Sequence, residues 1–400
     1  MRKLFVIALM TAVLTGAIFA QELRFDGYLN SGLGVVSVGD NDPILKAMGV
    51  DSEQHGYRFR LNGSYQNEDK NAGVRFRFQS QGTISNGYFA LPYVYGWVSF
   101  FDNRLSLSAG IVDDTTWETV DWWLKDDVGE GLGLLLKASP IDGLNLGVGA
   151  YLISQQGSGS NNILSTDAGN LPQFRDIKLP LDEVKYVFSG SYTVPKVLRI
   201  GATFRTENNA GWDSINRQET SQLIGELRIL AVSNLTAVIV ANFDKLEDFE
   251  DSGDIMFSET FAYKFNDQFS LGLNAVQLLY NRTTEYAPGL LFNVWGSYAF
   301  GSVVPRLDVV YFMGGRSRTT TAVSNGDYQY HRRGFQAQAK AASADAVSVL
   351  SARPSVRINL DNRTFLEIGD IINYDMGKGA YGGEDTLFSN VFYVDVKWSF

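Results

Sequence analysis

From Glu22 onward the chain repeats runs of about ten residues, the length a barrel strand needs, in which large apolar side chains alternate with small or polar ones. In the run 144–150, leucine, valine and alanine occupy one parity and asparagine and glycine the other. Successive side chains of a strand point to opposite faces, so each run predicts a β-strand with one apolar and one polar face. Two features depart from this alternation: residues 88–101 are aromatic on both parities, and Glu259 falls on an apolar one.

The connections between these runs are alternately short and long. The short ones carry the Asn, Asp, Gly and Pro residues that tight hairpins require. They lie at 67–71, 102–103, 141–143, 195–196, 233–234, 266–267, 301–303 and 361–362. The long ones lie at 39–53, 81–87, 114–130, 155–182, 207–217, 244–253, 281–288, 315–344 and 374–386. Short turns at one rim and long loops at the other are typical of outer-membrane β-barrels, whose long loops face the cell exterior.

These connections join eighteen strands, so the sequence predicts an all-β fold, a transmembrane antiparallel β-barrel with short periplasmic turns and long external loops. A barrel of sixteen strands is the alternative. An even number of strands places both chain ends on the periplasmic side, together with the short turns. A closed barrel of this width has a lumen that its own side chains cannot fill.

The start of the chain has the layout of a secretory signal peptide. Arg2 and Lys3 supply a positive start, residues 4–14 form an apolar core, and cleavage is expected after Ala20, with the bulkier Ile18 at the −3 position. We therefore expect residues 1–20 to be a signal peptide and residues 21–400 to form the barrel. The alternative, an N-terminal membrane anchor, needs a longer apolar run than this one.

Composition narrows the class further. The chain has no cysteine, which excludes a lipoprotein anchor, a disulfide framework and a thiolate metal site. Its formal net charge of −10 argues against nucleic acid as a partner. After residue 20, the nearest approach to a membrane-spanning apolar stretch is 229–240, which Ser233 and Asn234 interrupt. A helical inner-membrane protein is therefore excluded, whereas a barrel, whose strands need only alternate apolar residues, is not.

The last strand of the chain alternates strictly. Phe392, Val394, Val396, Trp398 and Phe400 share one face, and tyrosine, aspartate, lysine and serine lie between them. This pattern resembles the C-terminal signal of bacterial outer-membrane proteins, in which the terminal residue is typically Phe and alternate preceding positions are apolar or aromatic. The resemblance implies insertion into the outer membrane by the barrel-assembly machinery. The alternative is an ordinary amphipathic edge strand of a secreted soluble domain.

Two neighbouring strands carry a cluster of arginines on their polar faces. Arg58 and Arg60 alternate with aromatic residues on one strand, and Arg75 and Arg77 repeat the arrangement across a short turn. Pointing arginines toward lipid would cost about 2–4 kcal/mol each at the middle of the bilayer. We therefore expect all four to line the lumen as a basic cluster.

The third long connection combines acidic and aromatic residues: Trp117, Glu118, Asp121, Trp122, Trp123, Asp126 and Asp127. Together with the arginine cluster, this layout resembles the general diffusion porins, in which the third loop folds into the barrel and sets acids against arginines. The resemblance implies a constriction with a transverse field that orients polar solutes and tunes ion selectivity. Two alternatives stay open: the loop packs at the outer mouth, or its tryptophans stack on sugars, as in the sugar porins.

The porin resemblance implies a passive channel for small hydrophilic solutes or ions that contacts outer-membrane lipid and uses no cofactor or metal. Trimers are common among porins, so a homotrimer is left open. The alternative is a non-transport surface barrel, an adhesin or structural protein that binds through long loops such as 155–182 and 315–344. No enzyme is expected, because the only histidines, His55 and His331, fall in or beside loops without the spacing of a catalytic triad.

If the third loop enters the pore, Arg75→Ala and Asp121→Ala each change the single-channel conductance and the ion preference. Each substitution removes one pole of the field across the pore. Recording in planar bilayers measures both quantities. Unchanged conductance and unchanged ion preference in both variants would contradict the constriction and favour a loop at the outer mouth.

Overall fold

A computed structural model describes residues 22–38, 42–48, 57–81, 88–112, 131–153, 164–165, 173–174, 184–206, 221–244, 246, 249, 254–280, 289–313, 348–376 and 388–400. The predicted signal peptide and the acidic loop 114–130 lie outside these residues. Among the described residues, no helix has both the length and the apolar character required to cross a membrane.

Strands make up almost all of the described chain. In chain order they are β1 (Glu22–Val38), β2 (Ile44–Met48), β3 (Tyr57–Gln66), β4 (Ala72–Gln81), β5 (Tyr88–Phe100), β6 (Leu105–Val112), β7 (Gly131–Ala138), β8 (Leu144–Ile153), β9 (Leu164–Ser165), β10 (Gln173–Phe174), β11 (Val184–Val194), β12 (Leu198–Arg205), β13 (Gln222–Ile229), β14 (Leu235–Asp244), β15 (Asp254–Lys264), β16 (Phe269–Tyr280), β17 (Gly289–Tyr298), β18 (Val303–Met313), β19 (Ser348–Asn359), β20 (Thr364–Asp375) and β21 (Phe388–Ser399).

Eighteen of these strands, β1, β3 to β8 and β11 to β21, form one closed antiparallel barrel, which confirms the predicted number. Each pairs with its neighbour along the chain, and β1 closes the barrel by pairing with β21 from Tyr28 opposite Ser399 to Val38 opposite Ser389. Closure gives every barrel strand of the described chain two partners. Backbone amide and carbonyl groups are then paired within the sheet, as a β-structure inside a membrane requires.

The first long connection differs from the prediction of a plain loop, because residues 44–48 form strand β2. Pairing between β1 and β3 ends at Ser31, although β1 continues to Val38. Residues Gly32–Val36 of β1 pair instead with β2. β1 has 17 residues and β3 has 10, so backbone amide and carbonyl groups of β1 extend beyond the end of β3. β2 pairs with these groups.

All eight predicted short turns lie at one end of the barrel, which we call the turn rim; the opposite end is the loop rim. Asn234 and Gly301 adopt the left-handed conformation, with φ of 67° and 62°, that tight hairpins demand. Asp361 accepts hydrogen bonds from the backbone amides of Arg363 and Thr364, both at 2.7 Å. These bonds to the charged form lower the pKa of the Asp361 carboxyl below its usual value.

The barrel wall has an apolar outer face and a polar inner face. Large apolar side chains such as Leu33, Leu134 and Trp398 are about half exposed on the outside. These exposed apolar side chains occur on strands all around the barrel and form a continuous band. Monomeric soluble proteins do not expose an apolar surface of this extent. The band therefore suits the hydrocarbon of a bilayer.

Glu259 is an exception on this outer face, as its parity in the sequence indicates. It stands opposite Ala275 at the middle of β15, and its Oε1 accepts a hydrogen bond of 3.1 Å from Nε2 of Gln277 on β16. Asp370 also falls on the outer parity, opposite Phe392. Polar side chains here carry a desolvation penalty that one hydrogen bond offsets only in part.

The last strand places Phe392, Val394, Val396 and Trp398 on the outer face, as their alternation predicts. Phe400 follows β21 and joins the seam of the barrel. Its backbone exchanges two hydrogen bonds with Gly27 at 3.1 and 3.2 Å, and its ring stacks on Phe59 with centroids 6.3 Å apart. A Cβ on Gly27 would lie 2.9 Å from the Phe400 ring, so glycine makes room for this contact. The recognition of this strand by the assembly machinery stays a prediction.

Glutamates on opposite faces of the wall respond in opposite ways to replacement by leucine. Glu259→Leu raises the free energy of unfolding in phospholipid vesicles by about 1 kcal/mol, because it removes a polar group from the lipid side. Glu367→Leu lowers it by about 2 kcal/mol, because it removes the carboxylate that accepts hydrogen bonds from Arg357 at 2.8 Å and from Tyr393 at 3.0 Å. Urea unfolding measures both, and a loss of stability in Glu259→Leu would show that this position does not face lipid.

Candidate functional site

The lumen wall is the candidate site, and the predicted arginine cluster lies on it. Strand register places Arg60 opposite Gln79 and Arg77 opposite Asn62, all on the inner parity. Nε of Arg60 donates to Oε1 of Gln79 at 3.1 Å, and Nε of Arg77 donates to Oδ1 of Asn62 at 2.9 Å. Arg58, opposite Asn30 on β1, and Arg75 share that parity. The structure thus brings all four predicted arginines to one sector of the inner wall, on β3 and β4.

Aromatic rings on the flanking strands support this cluster. The Arg60 guanidinium lies 5.4 Å from the ring centroid of Tyr28 on β1, and that of Arg77 lies 4.8 Å from the ring of Tyr93 on β5. Both distances fall within cation–π range. These rings and the two amides above hold the guanidinium groups in place, and the Asn62 amide also donates to Oδ1 of Asp26, on the inner face of β1, at 2.6 Å.

The adjoining sector of the lumen, on β18 to β21, carries arginines paired with acids. Arg306 binds Asp308 through two hydrogen bonds of 2.6 and 2.7 Å. Arg357 binds Glu367 at 2.8 and 3.0 Å, and the Tyr393 hydroxyl donates to the same carboxylate at 3.0 Å. Arg306 and Arg357 therefore each have an acidic partner on the inner wall.

In these pairs the base is open to the lumen and the acid is covered. The side chains of Arg228, Arg306 and Arg357 are 39%, 24% and 36% exposed, whereas their partner acids are 2% exposed or less. On β13, β18 and β21 the base stands two residues nearer the turn rim than the acid: Arg228 and Glu226, Arg306 and Asp308, Lys397 and Asp395. We call Arg228, Arg306, Arg357 and Lys397 the basic ring. Solutes in the turn-rim half of the lumen therefore meet positive charge.

Toward the loop rim the inner wall changes character. Inward side chains there are buried, and many are valines: Val112, Val187, Val310, Val349 and Val391. Arg205, at the loop-rim end of β12, is also buried on the inner face and donates to Oε1 of Gln222 at 3.0 Å.

Sequence reasoning missed the inward aromatics of β5. Tyr93 and Tyr95 are buried on the inner face and pack with Val112 and Trp97. The alternation of tyrosine and tryptophan with Val94, Gly96 and Val98 was a usable signal. It was obscured because register shifts between Arg77 and Gln79, so residues before Tyr93 follow another parity.

The candidate residues of the third loop, Trp117 to Asp127, lie outside the described residues, as do both histidines. Their role in a constriction stays a prediction. Within the part of the chain that the structure describes, no three His, Cys, Asp or Glu side chains are grouped so that they could hold a metal ion.

A closed barrel of eighteen strands with an apolar outer band and a charged inner wall has the architecture of a porin. No model of a known protein family matches the chain, and no curated protein sequence matches it.

Solved structures do match it in fold. OccK2 (OpdF) of Pseudomonas aeruginosa, in complex with glucuronate, superposes with a TM-score of 0.57 at 11% identity, over 95% of this chain and 99% of that one. OccK1 (OpdK) and OpdQ of the same organism give TM-scores of 0.55 and 0.51 at 11% and 9% identity, each over 96% of this chain and 99% of the other. These neighbours are porins, and at such identities the likeness establishes the fold alone.

The two faces of the wall can be distinguished by labelling, because the chain has no cysteine of its own. We expect Ser106→Cys, on the inner face of β6, to react readily with a charged thiol reagent in phospholipid vesicles. Leu107→Cys, the next residue and on the outer face, should be protected because a charged reagent does not enter hydrocarbon. Mass spectrometry after quenching measures the modified fraction. Equal rates at the two positions would contradict the assigned faces.

Proposed function

We propose that the chain is a bacterial outer-membrane porin, a water-filled channel for passive diffusion of small hydrophilic solutes. The observation that carries the proposal is the placement of charge. Partly exposed guanidinium groups of the basic ring face the lumen, while the outside of the same strands is apolar. A charged inner wall is stable only if water reaches it. A lumen filled with water from one side of the membrane to the other is a conduction path.

The proposal fixes an orientation in the membrane. The turn rim faces the periplasm and the loop rim faces the exterior, as in bacterial barrels with short periplasmic turns. Export by the signal peptide and insertion by the barrel-assembly machinery follow from the sequence patterns at the two ends of the chain. Outer-membrane lipid then covers the apolar band.

The lumen favours anions over cations. The β3–β4 cluster and the basic ring raise the local concentration of anions wherever the lumen is narrower than the screening distance, about 8 Å at physiological salt. The OccK2 structure contains glucuronate, an anionic sugar, and a basic lumen admits solutes of the same class. Acids of loop 114–130 set opposite the arginines would add a transverse field.

The proposal is tested by refolding the protein into a planar bilayer and measuring conductance and the reversal potential in a salt gradient. The native protein should conduct and prefer anions. Replacing Arg58, Arg60, Arg75 and Arg77 together by Gln should reduce the anion preference severalfold, because it removes four positive charges from the wall.

The matched control removes cationic charge outside the lumen. Arg104, in a turn and 55% exposed beside Asp142, and Lys196, exposed in the turn between β11 and β12, are replaced by Gln. Ion preference should stay at the native value in this double variant. A native protein that inserts without passing current would contradict the channel and favour the non-transport surface barrel.

A further inference from the structure

A cavity of about 420 Å³ opens on the inner wall near the turn rim, between β4, β5, β6 and β7. Its size is that of a small-molecule site. Three cationic side chains line it: Arg75 on β4, Lys137 on β7 and Lys70 in the turn between β3 and β4. None of the described lining residues is acidic. The cavity therefore attracts anions more specifically than the lumen around it.

Trp97 provides a flat apolar lining for this cavity. Its indole lies against Gly73 on β4, where a Cβ would come within 2.8 Å of the Trp97 Nε1 atom. Glycine at this position lets the ring lie close to the wall. Tyr95, its neighbour on the same face, is buried and packs beside it, so the indole is supported from within the wall.

Hydroxyl groups complete the lining on β6. Ser106 stands opposite Lys137 and Ser108 opposite Leu135, while on the other side Ser108 faces Trp97. An ammonium donor, two hydroxyls and an indole therefore lie next to one another. Arg75 and Lys137 are three strand spacings apart, roughly 14 Å at the backbone. Their long side chains can therefore approach one small molecule from opposite sides.

We propose that this cavity is a binding site for an anionic monosaccharide, a single sugar ring that carries a carboxylate or a phosphate. The guanidinium of Arg75 matches the forked geometry of either anion. Serine hydroxyls donate to and accept from sugar hydroxyls, Lys137 donates to them, and the apolar face of the ring packs on Trp97. The site lies on the periplasmic side, so a solute occupies it as it leaves the channel.

Other small solutes match the lining less well. A neutral sugar offers no carboxylate or phosphate to the guanidinium of Arg75. A simple aromatic carboxylate satisfies Arg75 and Trp97 but offers nothing to the hydroxyls of Ser106 and Ser108. A site built to hydrogen-bond hydroxyl groups discriminates strongly against analogues that lack them.

The assignment rests on the proposed channel function, and block of the current tests it. D-glucuronate, glucose 6-phosphate, glucose and benzoate are added in turn to each side of a bilayer that contains the native protein. Both sugar anions should block at a concentration at least about tenfold below that for glucose or benzoate, the ratio expected for one charge-assisted hydrogen bond or one set of hydroxyl contacts. Block by only one of them identifies the anionic group. Equal block by all four probes would overturn the site.

Variants locate the block. Trp97→Ala and Arg75→Gln should each raise the half-blocking concentration of the effective sugar anion about tenfold. Trp97→Phe, which keeps a flat ring, should stay near the native value. Arg199→Gln removes the same charge from the inner face of β12, outside the cavity, and should leave the block unchanged. Equal effects of Arg75→Gln and Arg199→Gln would show that general lumen charge, rather than this cavity, holds the anion.

Binding measured without current separates the two proposals. Equilibrium dialysis of labelled glucuronate and labelled glucose 6-phosphate against the folded barrel in detergent reports occupancy directly. Binding that Trp97→Ala weakens, in a protein that passes no current, retains the site and rejects the channel. Conduction by a protein that binds neither anion retains the channel and rejects the site.

Discussion

Hydrogen bonding between the first and last strands is the interaction on which the rest of this structure depends. Inside a membrane an unpaired backbone amide has no water to bind, so a β-sheet there is stable only when it has no free edge. The pairing of β1 with β21 over eleven residue pairs removes the edge of an eighteen-stranded sheet. The backbone contacts of Gly27 with Phe400 extend the seam to the end of the chain.

Closure also gives the wall two sides with different solvents, and the charge pattern follows from that. Side chains alternate between the two sides, so every second residue of a strand is apolar and the others are free to be charged. Within the ion pairs of Arg228, Arg306 and Arg357, the acids are covered and the bases reach the lumen. A chain with formal net charge −10 can therefore present a basic inner wall.

The alternation of apolar and polar residues along the sequence predicts features that depend on a single strand and on whether each of its faces meets lipid or water. The strand number, the turn positions and the inward direction of Arg60 and Arg77 follow from it, because a membrane penalises any other choice. Features that depend on neighbouring strands are not visible in this way. The β2 strand depends on backbone left unpaired beyond β3, and the inward direction of Trp97 follows from register after an irregular pairing. The cavity beside Trp97 combines residues of four strands, which no single run of sequence shows.

The two-residue offset between base and acid on β13, β18 and β21 creates a dipole along the barrel axis, with its positive end at the turn rim. The buried valines toward the loop rim add no charge of their own to that part of the wall. A channel whose fixed charge is asymmetric along its axis conducts unequally at the two polarities. Ions accumulate in it under one polarity of the applied voltage and are depleted under the other. Current through the barrel would then depend on the sign of the applied voltage as well as on its size, so the barrel would act as a rectifier.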